Sequence, residues 1–109
     1  QLRTFPMGTD LAVLITGGRA HIGAVATAYA EGDGIKVETH QLPGHREGEL
    51  AAEMAGLAAS SLDCTVTVAM GIHLDNATRE EIDEIVGTVR RLMREELRRR
   101  KAEPSEDPS

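Results

Sequence analysis

Three of the four histidines lie beside glycine-containing turns or at the predicted ends of strands. Positions of this kind hold side chains on a rigid scaffold while leaving them exposed to ligands. An imidazole can ligate a metal, hydrogen-bond a bound molecule or transfer a proton near neutral pH. The three segments are residues 19–23 around His21, residues 43–47 around His45 and residues 71–76 around His73. We expect these histidines to share one end of a sheet, whereas His40, in an alternating strand pattern, is expected to face solvent.

The junction that follows the last predicted strand is the best single candidate for a functional site. Its apolar strand, residues 65–72, delivers His73, Asp75 and Asn76 to the mouth of a helix. Thr78 followed by Glu81 is the capping-box pattern, which satisfies the first free amides of a helix. The polar side chains should therefore lie in a fixed turn, although an aspartate at this position is often only a turn or capping residue.

A phosphate group would suit this end of the molecule. Two helix N-termini would offer backbone amides and a favourable dipole there, and Arg19 and Arg46 would add positive charge. The flanking glycines could equally serve only to make turns, because the sequence contains no Walker-type or dinucleotide-type glycine fingerprint.

A divalent metal is the rival ligand. His45, His73 and Asp75 are metal ligands of ordinary type, and they could support a small metal-dependent enzyme with open positions for water and substrate. Their spacing matches no closed Cys/His site. We name no catalytic nucleophile, because the lone Cys64 precedes the strand that ends near His73 and is expected to be an inert, partly buried thiol.

The elements that must position these residues follow from hydrophobic periodicity. Residues 11–16 form an apolar strand, Gly17-Gly18 provides a tight hairpin turn, and residues 21–29 form the return strand. Residues 35–42 alternate polar with apolar, as a half-exposed antiparallel strand does. Residues 1–7 are expected to be a frayed edge strand or a leader to one.

Two amphipathic helices complete the pattern. The first begins between His45 and Gly48 and ends by Ser60 or Ser61. The second follows Thr78 and carries one apolar stripe: Ile82, Ile85, Val86, Val89, Leu92, Met93 and Leu97.

The order β-β-β-α-β-α predicts an α+β domain over residues 1–101, with a mostly antiparallel four- to five-stranded sheet and two helices packed on one face. The two nearly continuous apolar strands, residues 11–16 and 66–72, suggest that the other sheet face is also covered. A homo-oligomer is therefore expected. Residues 102–109, which contain two prolines and no apolar residue larger than alanine, are expected to be a disordered tail.

Composition excludes several classes of function. With 109 residues the chain should form one domain, and its site should lie on the surface or between subunits. The net charge of −6 and the presence of only one Phe and one Tyr, with no Trp, argue against nucleic-acid binding. Residues 90–101 carry seven Lys/Arg against two Asp/Glu, which we interpret as a solvated helix end that complements the dipole, with binding of an anionic partner as the alternative.

The single cysteine permits no intrachain disulfide, which favours a reducing cytoplasm. The sequence shows no charged-then-apolar leader and no run of about 18 apolar residues, so neither secretion nor membrane association is expected.

Three segments of the sequence, taken together, resemble those of a known protein family. Residues 17–26, 42–51 and 71–78 are similar to segments of small proteins related to the D subunit of gallate decarboxylase, the prenylated-flavin chaperones. The similarity extends over about residues 11–93. The resemblance implies a non-catalytic accessory protein that binds prenylated flavin mononucleotide (FMN), or FMN itself, and assists cofactor maturation in a UbiD-type decarboxylase.

The resemblance implies that the cofactor is bound by the polar residues inside the three matching segments: Arg19, His21, His45, Arg46, His73, Asp75 and Asn76. The scarcity of aromatic side chains leaves Met70, Ile22 or backbone edges to contact the isoalloxazine ring. Two other readings remain at this point: the metal-dependent enzyme, and an oligomeric interaction module that uses the sheet face or the arginine-rich helix end.

Overall fold

The computed structural model describes residues 1–73 and 75–102. The chain forms five strands and two helices, in the order β1 (Leu2–Met7), β2 (Asp10–Gly18), β3 (Ala24–Glu31), β4 (Gly34–Gln41), α1 (Gly48–Leu62), β5 (Val66–His73) and α2 (Arg79–Ala102). The predicted tail, apart from Ala102, lies outside the described residues.

The strands form one mixed sheet in the order β1-β2-β5-β3-β4. Three of its four pairings are antiparallel, and only β2 and β5 run parallel. Tight turns at Gly8 and Gly32, both with positive φ angles, join the outer strands to their neighbours. The predicted α+β class, the mostly antiparallel sheet and the two helices are therefore confirmed.

The predicted hairpin between β2 and β3 is wrong, because β5 lies between these strands. Gly18 has the positive φ of a turn residue, 60°, yet the chain crosses the end of β5 before β3 begins at Ala24. Strand β5 is apolar apart from Thr67 and His73 and gains two hydrogen-bonded neighbours at the centre of the sheet. Burying this long-range strand outweighs the local turn signal of Gly17-Gly18.

The core lies between the helices and one face of the sheet. Each central strand contributes alternate residues, and each helix contributes one stripe, to a cluster that includes Val13, Ile15, Ala24, Ala26, Ala28, Ala51, Met54, Ala55, Ala58, Val66, Val68, Met70, Val89, Met93 and Leu97. The predicted stripe of α2 is only partly confirmed. Val89, Met93 and Leu97 are buried, whereas Ile82 is 49% exposed because the N-terminal turns of α2 stand away from the core.

We call the sheet face opposite the helices the open face. Its side chains alternate with the buried ones, and several are apolar: Phe5 is 50% exposed and Leu14 is 38% exposed. The apolar strands therefore do not have both faces buried within one copy of the chain.

Polar contacts fix the helices to each other and to the sheet edge. Arg90 of α2 donates two hydrogen bonds of 2.8 Å to the Glu53 carboxylate of α1, and this contact lowers the pKa of Glu53.

At the start of α2, Glu81 N donates to Thr78 Oγ1 while Thr78 N donates to Glu81 Oε1, both at 3.1 Å. The predicted capping box is thus confirmed.

Glu96 links α2 to strand β1, and its ionisation should contribute to stability. Thr4 Oγ1 donates to Glu96 Oε1 at 3.2 Å, and Arg99 also donates to the carboxylate. Burial opposes ionisation, but Arg99, Thr4 and Arg100 outweigh it and lower the pKa of Glu96.

We expect Glu96→Gln to reduce the free energy of unfolding by about 1 to 3 kcal/mol at neutral pH, because hydrogen bonds to a charged group are lost. When folding lowers the pKa of a carboxyl group, the ionised group stabilises the folded protein at pH values above its unfolded-state pKa. This stabilisation is lost as the pH falls through the folded-state pKa. The difference between variant and parent should therefore shrink in acid, below the ordinary glutamate pKa. Urea titrations of the variant and the parent at pH 7 and in acid measure this difference. An equal loss of stability at both pH values would contradict this role of Glu96.

Within the described part of the chain, no helix is both long and apolar enough to cross a membrane.

Candidate functional site

The candidate site lies where the chain crosses from β2 to β3. We call residues 19–23 the crossing segment. Arg19 N donates to the carbonyl of His73 at 3.1 Å, and Gly23 N donates to the carbonyl of Met70 at 2.9 Å, so the segment is fixed at both ends to β5. It covers Gly71, where a Cβ atom would lie 1.3 Å from the His21 carbonyl oxygen. The crossing therefore requires a glycine at position 71.

The three histidines meet at this end of the sheet. His21 Nε2 lies 3.0 Å from His45 Nδ1, and the two ring centroids are 4.6 Å apart. The His73 ring stands nearly perpendicular to that of His21, with centroids 5.6 Å apart. His73 is the register partner of Gly18, so the parallel pairing of β2 with β5 brings it beside the crossing segment. The histidines converge although the sheet order differs from the predicted one.

The hydrogen bonds of His21 and His45 indicate which ring nitrogen donates and which accepts. His21 Nδ1 lies 3.0 Å from the carbonyl oxygen of Arg19, and a carbonyl only accepts, so Nδ1 is the donor. His21 Nε2 is then an acceptor, and the proton shared with His45 is donated by His45 Nδ1. The lone pair of His21 Nε2 therefore points toward His45.

Asp75 connects the third histidine to an arginine. One carboxylate oxygen lies 2.9 Å from His73 Nε2, and the other accepts a 3.1 Å hydrogen bond from Arg19 Nη2. The side chains of Asp75 and Arg19 are 67% and 76% exposed, and exposed ion pairs contribute at most about 1 kcal/mol to stability. The arrangement fixes the orientation of His73 and Arg19 more than it stabilises the fold.

Arg46 and Asn76, the remaining predicted residues, are less constrained. Arg46 is exposed beside His45, and Asn76 adopts the left-handed conformation with φ of 55°. In the described part of the chain neither side chain makes a hydrogen bond to the rest of the cluster. Neither side chain therefore helps to hold the cluster together.

Glu47 belongs to the cluster but was missed by the sequence analysis. It is the N-cap residue of α1, its side chain is only 16% exposed, and its Oε2 atom lies 3.7 Å from His45 Nδ1. Gly23 makes room for it, since a Cβ there would lie 1.4 Å from Glu47 Oε2. Its position two residues after His45 could have identified Glu47 as a site residue. An acidic residue at the start of a helix, however, is ordinarily explained by its favourable interaction with the helix dipole.

The helix amides predicted to bind a phosphate are partly occupied. Gly48 N at the start of α1 donates to Gln41 Oε1 at 2.9 Å, and Glu81 N at the start of α2 is used by the capping box. Positive charge near the histidines therefore comes mainly from Arg19 and Arg46.

An apolar groove of about 290 Å³ lies beside the same sheet end, on the helix side. Its walls include Gly17, Gly18, Ile72, Ile85 and Leu92. Met70, predicted to contact a flavin ring, is 1% exposed and belongs to the core, so that prediction is wrong; Ile22 is 59% exposed and remains available. Ile22 lies within the crossing segment, next to His21.

Two other predictions can be compared with the structure. Within residues 1–73 and 75–102, His45, His73 and Asp75 do not form a common set of metal ligands; the residues close enough are His21, His45 and Glu47. Burial, with Asp10 and Asp63 nearby, raises the pKa of Cys64. A raised pKa reduces the thiolate fraction at neutral pH and agrees with an inert thiol.

In the arginine-rich part of α2, four of the seven basic residues within the described range 90–101 have a glutamate partner. Arg90 pairs with Glu53, Arg91 with Glu95, and Arg99 and Arg100 with Glu96. These contacts agree with a solvated helix end and weaken the case for an anionic partner there.

Comparison with known protein families gives a match over most of the chain. The model of the prenylated flavin chaperone LpdD-like domain matches residues 1–101. No curated protein matches the chain.

Proposed function

Because the chain belongs to the LpdD-like prenylated flavin chaperone family, we propose that it binds prenylated FMN at the histidine cluster and delivers it to a UbiD-type decarboxylase without catalysing a reaction itself. The observation that carries the proposal is the convergence of His21, His45 and His73 beside Arg19 at one exposed end of the sheet. The exposed ion pair between Arg19 and Asp75 contributes little to stability, as expected of residues kept for a ligand.

The residues of the cluster fit the chemistry of a flavin nucleotide. A phosphate dianion favours guanidinium groups, which bind it through charge-assisted hydrogen bonds, and Arg19 and Arg46 supply these. Imidazoles both donate and accept, so the histidines can bind the ring edge or the ribityl chain. The exposed Ile22 offers apolar surface for the ring, in place of an aromatic residue. Asp75 and Asn76 complete the polar rim.

We expect His73→Ala to weaken binding of reduced prenylated FMN by about tenfold to a hundredfold, the loss that follows removal of one hydrogen bond to a ligand. Anaerobic gel filtration with detection of co-eluting flavin absorbance measures retention. His40→Ala is the matched control, because His40 lies on β4 outside the cluster. Failure of the parent protein to retain the flavin, or equal retention by His73→Ala, would refute this site.

Delivery is tested separately from binding. Flavin-loaded protein is mixed with an apo-decarboxylase of the UbiD type, and decarboxylation is compared with that produced by the same amount of free cofactor. We expect faster or fuller activation by the loaded protein and no turnover by the protein alone. Turnover by the protein alone would instead identify an enzyme.

The proposal includes a homo-oligomer. Apolar side chains of the open face, among them Phe5 and Leu14, are substantially exposed, and pairing of two open faces would bury them. The histidine cluster lies at one end of this face, because His73 projects opposite to the buried residues of β5. Light scattering that detects only a monomer at micromolar concentration would remove this element of the proposal.

A further inference from the structure

We propose that His21, His45 and Glu47 bind a divalent transition-metal ion. This site goes beyond flavin binding and does not depend on it. It also differs from the metal set suggested by sequence, since it excludes His73 and Asp75 and includes Glu47.

The three donor atoms already converge. One ring nitrogen of His21, one of His45 and a carboxylate oxygen of Glu47 lie within 4.8 Å of one another. The two nitrogens are 3.0 Å apart, and the nitrogen of His45 is 3.7 Å from Glu47 Oε2. Two nitrogens bound to one tetrahedral ion at 2.0 to 2.1 Å are about 3.3 Å apart. The separations of His45 Nδ1 from His21 Nε2 and from Glu47 Oε2 are each within about 0.4 Å of that value, and turning the two rings so that both lone pairs face the ion would place it among the three residues.

The surrounding backbone orients one ligand. The Arg19 carbonyl accepts the Nδ1 proton of His21, which leaves the Nε2 lone pair directed into the cluster. Metal-bound histidines commonly have such a second hydrogen bond, which sets the tautomer and holds the ring in place. His21 therefore already has the tautomer that metal binding requires, whereas His45 would have to carry its proton on Nε2 instead of Nδ1 to bind the ion.

Glu47 supplies the independent observation. Its Oε2 atom is buried and has no hydrogen-bond partner among the described residues. The 3.7 Å separation from His45 Nδ1 is too long for a hydrogen bond, and the proton at that nitrogen is directed to His21. A buried carboxylate oxygen without a partner is costly. A cation held between Glu47 and the two imidazoles would satisfy it.

The donor set defines the class of ion. Two imidazole nitrogens and one carboxylate suit Zn²⁺, Fe²⁺ or Mn²⁺, whereas Ca²⁺ and Mg²⁺ prefer oxygen ligands. Three protein ligands leave at least one coordination position for water or an anionic oxygen. The ion would also join the crossing segment, which carries His21, to the start of α1, which follows His45 and Glu47.

Chelator-treated protein, free of flavin, is titrated with Zn²⁺ by calorimetry, and Co²⁺ is used as a spectroscopic probe. We expect one ion per chain, visible d–d absorption with Co²⁺ and a higher melting temperature with Zn²⁺. Glu47→Gln and His45→Ala should each weaken binding by at least about a hundredfold, more than is lost when only a hydrogen-bond partner of a metal ligand is removed. His40→Ala is the control and should bind as the parent does.

Absence of stoichiometric binding would overturn the proposal. So would binding that survives Glu47→Gln but is lost in His73→Ala or Asp75→Asn, because the ion would then occupy the other set. Since flavin takes no part in the titration, this result is independent of the test of cofactor binding. Circular dichroism of each variant establishes that the fold is retained.

Discussion

The Gly71→Ala variant should bind prenylated FMN at least about tenfold more weakly than the parent protein. Its free energy of unfolding should fall by about 1 to 3 kcal/mol. The added Cβ would lie 1.3 Å from the His21 carbonyl oxygen. That oxygen belongs to backbone tied to β5 at both ends, so the crossing segment cannot move aside without breaking those hydrogen bonds. His21 and Arg19 would be displaced from His45 and Asp75.

The matched control is Gly87→Ala. Gly87 lies within α2, and nothing comes within 4 Å of a Cβ placed there. Alanine should stabilise this helical position by about 0.5 to 1 kcal/mol and leave flavin retention unchanged. Urea titration and anaerobic gel filtration measure both quantities in each variant. If Gly71→Ala retained flavin as Gly87→Ala does, the crossing segment would not be needed for the site.

The local elements of the fold could be predicted from the sequence. Alternation of apolar residues identified β4, three- and four-residue spacing identified both helices, and Thr78 with Glu81 identified the start of α2. These signals depend on residues near one another in the chain. The order of the strands depends on which apolar strands bury each other, and Gly17-Gly18 gave a misleading local turn signal.

The convergence of the histidines could also be anticipated, because strand ends and helix starts gather at the ends of a sheet. The individual contacts of these histidines could not be anticipated from the sequence. Whether His45 meets His21 or Asp75 depends on the path of the crossing segment, which follows from the insertion of β5 between β2 and β3. Glu47 enters the cluster only because Gly23 leaves space for its carboxylate.

The position of α1 on the sheet should be equally important for the site. Strand β3 presents Ala24, Ala26 and Ala28 to the core, all fully buried, and α1 packs directly against this strand. Buried alanines on α1 face the same core: Ala51, Ala55, Ala58 and Ala59. Because small residues meet on both sides, the helix lies close to the sheet, and this close approach brings the residues before α1 to the crossing segment.

Ala26→Leu should therefore reduce the free energy of unfolding by about 1 to 3 kcal/mol, because three added carbons find no space at a fully buried position. The strain would be relieved by moving α1 outward, which would carry His45 and Glu47 away from His21. We therefore expect weaker flavin retention as well as a lower urea midpoint. Ala30→Leu makes the same change farther along β3, where the alanine is exposed, and should alter stability by no more than about 0.5 kcal/mol. Equal stability and equal retention in the two variants would show that the close packing of α1 does not position the site.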